Sequence, residues 1–189
     1  MVEPNKFETG MGIYIDDDLY IVENFQHSKQ ARGGASVKVK LRDVQSGNIE
    51  NKRLRPEENF EQAYIDEKEA EFLYRDEPFL VFMDMETYDQ VEMSEESLGE
   101  KTKYLTEGEK LELKYTDGEP VGIVLPNKVT LEVADTEPGV KGDTAQGGTK
   151  PATLTTGLTV DVPLFINEGD LIEVDTEKGE YSGKVEEDE

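Results

Sequence analysis

Residues 12–54 read GIYIDDDLYIVENFQHSKQARGGASVKVKLRDVQSGNIENKRL. Val37, Val39 and Leu41 alternate with Ser36, Lys38 and Lys40, the period-two signature of a strand with one buried face. Gly12 to Ile15 and Leu19 to Phe25 read as strands on either side of Asp16-Asp17-Asp18, a polar tight turn. Val37 to Val44 and Ile49 to Leu54 flank a second turn, Gln45-Ser46-Gly47-Asn48. Four strands in this space suit a small SH3-like barrel. Between the second and third of them, Lys29, Gln30, Ala31, Arg32, Gly33 and Gly34 offer no large apolar side chain. This spacing predicts a hairpin with Arg32 near its tip.

The same period continues downstream. Pro56 to Glu61 is read as a short helical turn. A second block starts near Tyr64, with strands over Glu69–Arg75, Pro78–Asp84 and Asp89–Glu92. Ser94 is a helix N-cap candidate ahead of Glu95 and Glu96, placed where a helix dipole favours acids. Lys110–Tyr115 and Glu119–Leu125 then form a hairpin around Asp117-Gly118. A third block starts near Val129. Its strands are Val129–Val133, Ala152–Leu154 and Leu158–Val162, then a pair made by Phe165-Ile166 and Leu171–Asp175, before the turn into Glu180-Tyr181. Glu137 to Lys150, rich in glycine, is a long loop. About five strands in each of these two blocks suit OB-like barrels, and sandwiches equally. Phe72, Tyr74, Phe79 and Phe82 sit among apolar neighbours and are read as core.

Composition narrows the chemistry. The 189 residues hold no cysteine and one histidine, so no disulfide framework, thiolate nucleophile or catalytic triad suggests itself. No Gly-x-x-x-x-Gly-Lys phosphate loop occurs, and no cofactor is implied. Asp16-Asp17-Asp18 and Asp84-Met85-Glu86 could ligate a hard cation but lack EF-hand spacing, so they are read as solvated acidic turns. No apolar run is long enough to cross a membrane, and the N-terminus has no secretory pattern. A cytoplasmic protein without membrane attachment is expected.

Charge is unevenly spread. Net charge is −24, yet Gln26 to Arg55 holds eight basic residues against Asp43 and Glu50, a net of +6, leaving −30 on the remainder. A positive island on an acidic body is the footprint of phosphate binding. Lys29, Lys38, Lys40 and Arg42 would hold a nucleic-acid backbone, and Gly33 and Gly34 would allow close backbone approach. His27 is read as packing. A general RNA-binding β-barrel protein remains a second reading, for which aromatic side chains would face bases.

Four places along the chain resemble the bacterial translation elongation factor P family: Lys6-Phe7-Glu8-Thr9-Gly10-Met11; the hairpin from Phe25 through Arg32-Gly33-Gly34 to Leu41; the third block from Gly139-Val140-Lys141-Gly142-Asp143-Thr144 through Lys150-Pro151-Ala152-Thr153-Leu154-Thr155-Thr156-Gly157 to Ile166; and Val174-Asp175-Thr176 to Tyr181. The resemblance covers essentially the whole chain, and Ala31-Arg32-Gly33 is also similar to the family's elongation factor P-like paralogue branch, which prefers other stalling motifs. It implies an all-β protein of three small barrels in an L shape: an N-terminal KOW/SH3-like domain (1–64), a central OB-like domain (65–128) and a C-terminal OB-like domain (129–185), with an acidic tail (186–189). It implies a monomer, not an enzyme, that binds the ribosome between the peptidyl and exit sites and relieves stalling at consecutive prolines. Its partners would be peptidyl-tRNA and ribosomal RNA. Arg32 takes the family's tip position, which contacts the tRNA CCA end and in arginine forms can receive rhamnose from a modifying enzyme. Gly142, Asp143 and Thr144 would meet mRNA at the exit site. Tyr181 and Lys184 fall where many members carry Tyr-x-x-Arg and would contact RNA; lysine lacks arginine's planar fork.

Overall fold

The first hairpin is closed by a two-residue turn. β1 (Gly12–Ile15) runs antiparallel to β2 (Asp18–Gln30), with Ile15 opposite Asp18. Asp16 and Asp17 have φ of 51° and 70°. Two left-handed residues in a row give the turn the twist that the strands need. The turn is thus Asp16-Asp17, and Asp18 already belongs to the ladder. The structure is a computed structural model that describes residues 1–30, 34–139 and 148–186.

β3 (Gly34–Asp43) and β4 (Ile49–Leu54) continue the meander, and β5 (Glu61–Ala63) pairs with β1, giving the order β4-β3-β2-β1-β5. The helical turn expected over Pro56–Glu61 is absent. A single turn (Glu58 N–H to the Arg55 carbonyl, 3.1 Å) leads into β5 instead, because Phe60 pairs with Val2 and Glu61 with Tyr14 of β1, drawing the end of the segment into extended backbone. The inward row Val37, Val39 and Leu41 joins Phe7, Ile13, Tyr20 and Val22 in the first core.

The second sheet, β6 (Asp66–Asp76), β7 (Phe79–Asp84), β8 (Gln90–Ser94), β9 (Lys110–Thr116) and β10 (Glu119–Val124), has the order β10-β9-β6-β7-β8. The link from β8 to β9 is α1 (Glu95–Leu98) followed by a 3₁₀ segment (Gly99–Tyr104). Ser94 caps α1 as expected: its Oγ accepts from Ser97 N–H at 3.1 Å. Leu98 and Leu105 from this link plug the core built by Phe72, Leu80, Phe82, Leu113 and Ile123.

The third sheet repeats that plan. β11 (Lys128–Thr136), β12 (Thr149–Leu154), β13 (Thr159–Pro163), β14 (Leu171–Asp175) and β15 (Glu180–Lys184) take the order β13-β12-β11-β14-β15. Each OB-type unit thus has strands two and four on either side of strand one. In both, the outer strands return against each other, β10 on β8 and β13 on β15. The sheets curl into barrels rather than stacking as sandwiches. Phe165-Ile166 is not a strand. Ile166 drops from a turn into the third core, fully buried, while Phe165 is exposed. Tyr74 and Phe79 also depart from expectation, both 42% exposed. A bulge between Phe72 and Tyr74 turns the second aromatic out of the barrel, and Phe79 precedes the inward Leu80.

The first two domains meet where the turn after β3 packs on α1. At Gly47 (φ 70°) an added Cβ would collide with the Glu96 carbonyl, so only glycine fits. The second and third are tied by Tyr104, which leans on the third core, and by the Thr176 hydroxyl donating to the Pro126 carbonyl at 2.5 Å.

Candidate nucleic-acid interface

β2 and β3 are longer than the sequence period suggested. Their register runs from Tyr20 opposite Asp43 to Gln30 opposite Gly34. β4 leaves β3 at Val37, which faces Leu54. Beyond it, Ser28–Ser36, Lys29–Ala35 and Gln30–Gly34 continue as a two-stranded arm, about 10 Å of extra reach at 3.4 Å per residue. Gly34 closes the arm at φ 80°. Three residues are left to join its strands; Arg32 and Gly33 are among them and lie outside the described residues, as do Gly142, Asp143 and Thr144. Lys29 is placed by its backbone pairing with Ala35.

At the base of the arm the register assembles a polar lattice. Lys38 stands between Gln26 on β2 and Arg53 on β4; Lys40 stands between Asn24 and Asn51. Lys38, Lys40 and Arg53 are all exposed. Their outward row is the complement of the inward Val37, Val39 and Leu41. These six polar residues line a groove of about 480 Å³. Among the described residues, the ion pairs within β2, β3 and β4 are Arg42–Glu23 (2.6 Å) and Lys52–Glu50 (3.2 Å), so the three exposed cations are left for an outside anion. Cations interspersed with amides suit a sugar-phosphate backbone: the cations neutralise phosphates, and amides can donate to sugar and phosphate oxygens.

Arg42 shares the strand face of Lys38 and Lys40 but not their surroundings. A bulge in β2 between Val22 and Asn24 leaves Glu23 unpaired and turned toward Arg42, whose Nε donates to it. Arg42 Nη1 also lies 3.4 Å from the Gly47 carbonyl, in the seam with the second domain. His27 is exposed and stands edge-on to Phe25, ring centroids 5.8 Å apart. Tyr181 leans on the third core, and Lys184 pairs with Asp170 at 3.0 Å. They share β15, away from the arm. Asp84 is buried and caps its own turn, Oδ1 accepting from the Glu86 and Thr87 N–H groups at 2.8 and 3.1 Å. These bonds hold its carboxyl below the usual carboxylate range. Sequence reasoning placed Arg53 in the basic island without giving it a role, and passed over Asn24, Gln26 and Asn51. The signal was the offset between β3 and β4, which a turn of known length would have supplied.

Three family models match in chain order. The description "Elongation factor P (EF-P) KOW-like domain" covers residues 3–60, "Elongation factor P (EF-P) OB domain" 65–123, and "Elongation factor P, C-terminal" 129–184. The chain belongs to the elongation factor P family. It is similar to elongation factor P of Natranaerobius thermophilus, 45% identical over 185 residues, covering 98% of each chain. Elongation factor P of Desulfitobacterium hafniense strain Y51 is 44% identical over 181 residues, 96% of this chain and 98% of that one. The elongation factor P family consists of translation elongation factors, so the all-β architecture of KOW-like and OB barrels belongs to a factor of protein synthesis. Among the described residues no helix is long and apolar enough to cross a membrane.

Proposed function

We propose that this translation elongation factor binds the ribosome between the peptidyl and exit sites and promotes peptide-bond formation at proline stalls by holding the CCA end of peptidyl-tRNA. The observation that carries the reading is the two-stranded arm that continues past β4, with unpaired cations at its base. Proline reacts poorly because its ring fixes φ and restricts approach of the amine. Peptide-bond formation is a positioning problem, so a factor helps by restricting the acceptor end to a productive pose and needs no catalytic group of its own. A thin arm reaches that site without filling it. Lys38, Lys40 and Arg53 would hold the tRNA backbone, and Arg32 at the apex would pair with phosphate or stack on a base.

In the same reading, Gly142-Asp143-Thr144 approaches mRNA at the exit site. Tyr181 and Lys184 supply RNA contacts in the third domain, and Arg32 is the target of a modifying enzyme. A toeprint assay on a polyproline message tests the core of it. Wild type should release the stall, and Arg32→Ala should lose most of that release while the fold, read by circular dichroism, stays intact. Equal release by both proteins would overturn the tip assignment. Intact mass of the native protein reads the modification: an added sugar mass on the Arg32 peptide marks rhamnose.

A further inference from the structure

Farther along the same strand face, the seam between the first and second domains forms a second, partly open cavity of about 140 Å³. A single water needs roughly 10–15 Å³ by the same measure, so there is room for a small solvated ion. Its walls carry three cations, Arg42 from β3, Lys101 from the 3₁₀ segment and Lys114 from β9, against one carboxylate, Glu23. Arg42 is already committed to Glu23 and to the Gly47 carbonyl. Lys101 Nζ donates to the Ile123 carbonyl at 3.1 Å, while an ammonium has three donors to satisfy. Burial, then Arg42, then Lys114 push the Lys101 amine below the ordinary lysine range, with Glu23 alone opposing. An uncompensated positive surplus in a desolvated seam is costly. Either the amine sheds its proton or an anion enters.

We propose that the cavity between β2–β3 and the α1–β9–β10 side of the second domain is a binding site for a small tetrahedral oxyanion, phosphate or sulfate, held by Arg42, Lys101 and Lys114. An oxyanion supplies acceptors for the free ammonium hydrogens and for the rest of the guanidinium fork. The hydroxyl-bearing residues Thr9 and Ser97 also line the cavity. Bound there, the ion would offset the surplus of Lys101 and Lys114 on the second-domain wall and, through Arg42 of the first, bridge the two domains and fix their mutual setting. The ligand is a free ion: the seam is walled on both sides by protein, and a polynucleotide phosphate brings two sugars with it.

The test is thermal unfolding of the full chain at pH 7, with inorganic phosphate exchanged for chloride at constant ionic strength. The midpoint should rise and saturate, as mass action requires of a ligand that binds only the folded state. Lys101→Met, which keeps an unbranched stem but removes the ammonium, should weaken the apparent affinity at least about tenfold, the loss expected for a hydrogen bond to a charged group. Lys38→Ala/Lys40→Ala should respond as wild type does. A non-saturating rise, or an equal response from Lys101→Met, would leave the neutral amine as the correct account and overturn the site. Loss of the response in Lys38→Ala/Lys40→Ala, or displacement of phosphate by a single-stranded oligonucleotide, would move the ion to the exposed groove and overturn it equally. If Lys101→Met does not fold, Lys114→Gln decides: it should weaken the phosphate response several-fold, and an unchanged response rejects the proposal.

Discussion

Lys38, Lys40 and Arg42 occupy alternate positions of one strand, yet they face different tasks. The first two point into open solvent beside Arg53. The third is half-buried and bonded to Glu23, because one extra residue in β2 swings that carboxylate beneath it. Their substitutions should therefore separate cleanly. Lys38→Ala and Arg53→Ala should each change stability by no more than about 0.5 kcal/mol, as exposed substitutions do. Each should lower ribosome affinity and reduce the slope of log affinity against log salt by about 1, one phosphate contact. Arg42→Ala should do the reverse, costing about 1–3 kcal/mol of stability because Glu23 loses a charge-assisted partner, with the salt slope unchanged. Urea melts and ribosome binding at a series of salt concentrations read both quantities. A drop in slope for Arg42→Ala equal to that for Lys38→Ala would place Arg42 on the RNA after all.

At the scale of elements, strands and turns were legible because both have local causes. Val37, Val39 and Leu41 announce a face, and Asp117-Gly118 announces a two-residue turn, seen at φ 50° and 79°. What escaped the sequence depends on partners far along the chain. β5 exists because β1 offers a free edge, and Tyr74 leaves the core because of one bulge. The run Phe79-Leu80-Val81-Phe82 hides its phase, since every residue in it is apolar. In the candidate site, the basic island was visible as composition, but which cations stand free was decided by strand register and by Glu23. The Asp84 turn shows the same limit. The sequence alone suggests a solvated acid, whereas the carboxylate is buried and holds two turn amides. Asp84→Ala should cost about 1–3 kcal/mol at pH 7, since it leaves those N–H groups without their acceptor. The folded carboxyl titrates below its unfolded value, so its stabilisation is fully present above about pH 4 and is lost as pH falls through the lower folded value. Urea melts at pH 7 and below pH 4 should show the gap between wild type and Asp84→Ala closing in acid. A gap that stays constant would mean that the charge of Asp84 is irrelevant to the turn.

At the scale of the whole molecule, a chain of net charge −24 must approach one of the most anionic surfaces in a cell. The proposed docking reconciles the two because screening is short-ranged: at about 0.15 M salt the Debye length is about 8 Å, so phosphates placed over the first domain's groove would sense Lys38, Lys40 and Arg53 more than carboxylates one domain away. On the proposed docking those carboxylates would act elsewhere, repelling RNA from the acidic faces and favouring one productive orientation. Glu67, Glu112 and Glu119 of the second domain are exposed, and Glu112 faces Glu69 directly across β9 and β6, a like-charge pair that weakens the sheet. Retaining such a pair makes sense if surface charge is selected for something other than stability. The triple substitution Glu67→Gln, Glu112→Gln and Glu119→Gln should leave the salt slope of ribosome binding unchanged, since no cation is lost. It should raise affinity for unrelated single-stranded RNA, so that the ratio of specific to non-specific binding falls. Competition binding, ribosomes against bulk RNA at fixed salt, measures that ratio. Should the triple variant instead lose ribosome affinity as Lys38→Ala does, the acidic faces would be making contacts of their own, and docking by one basic edge would have to be given up.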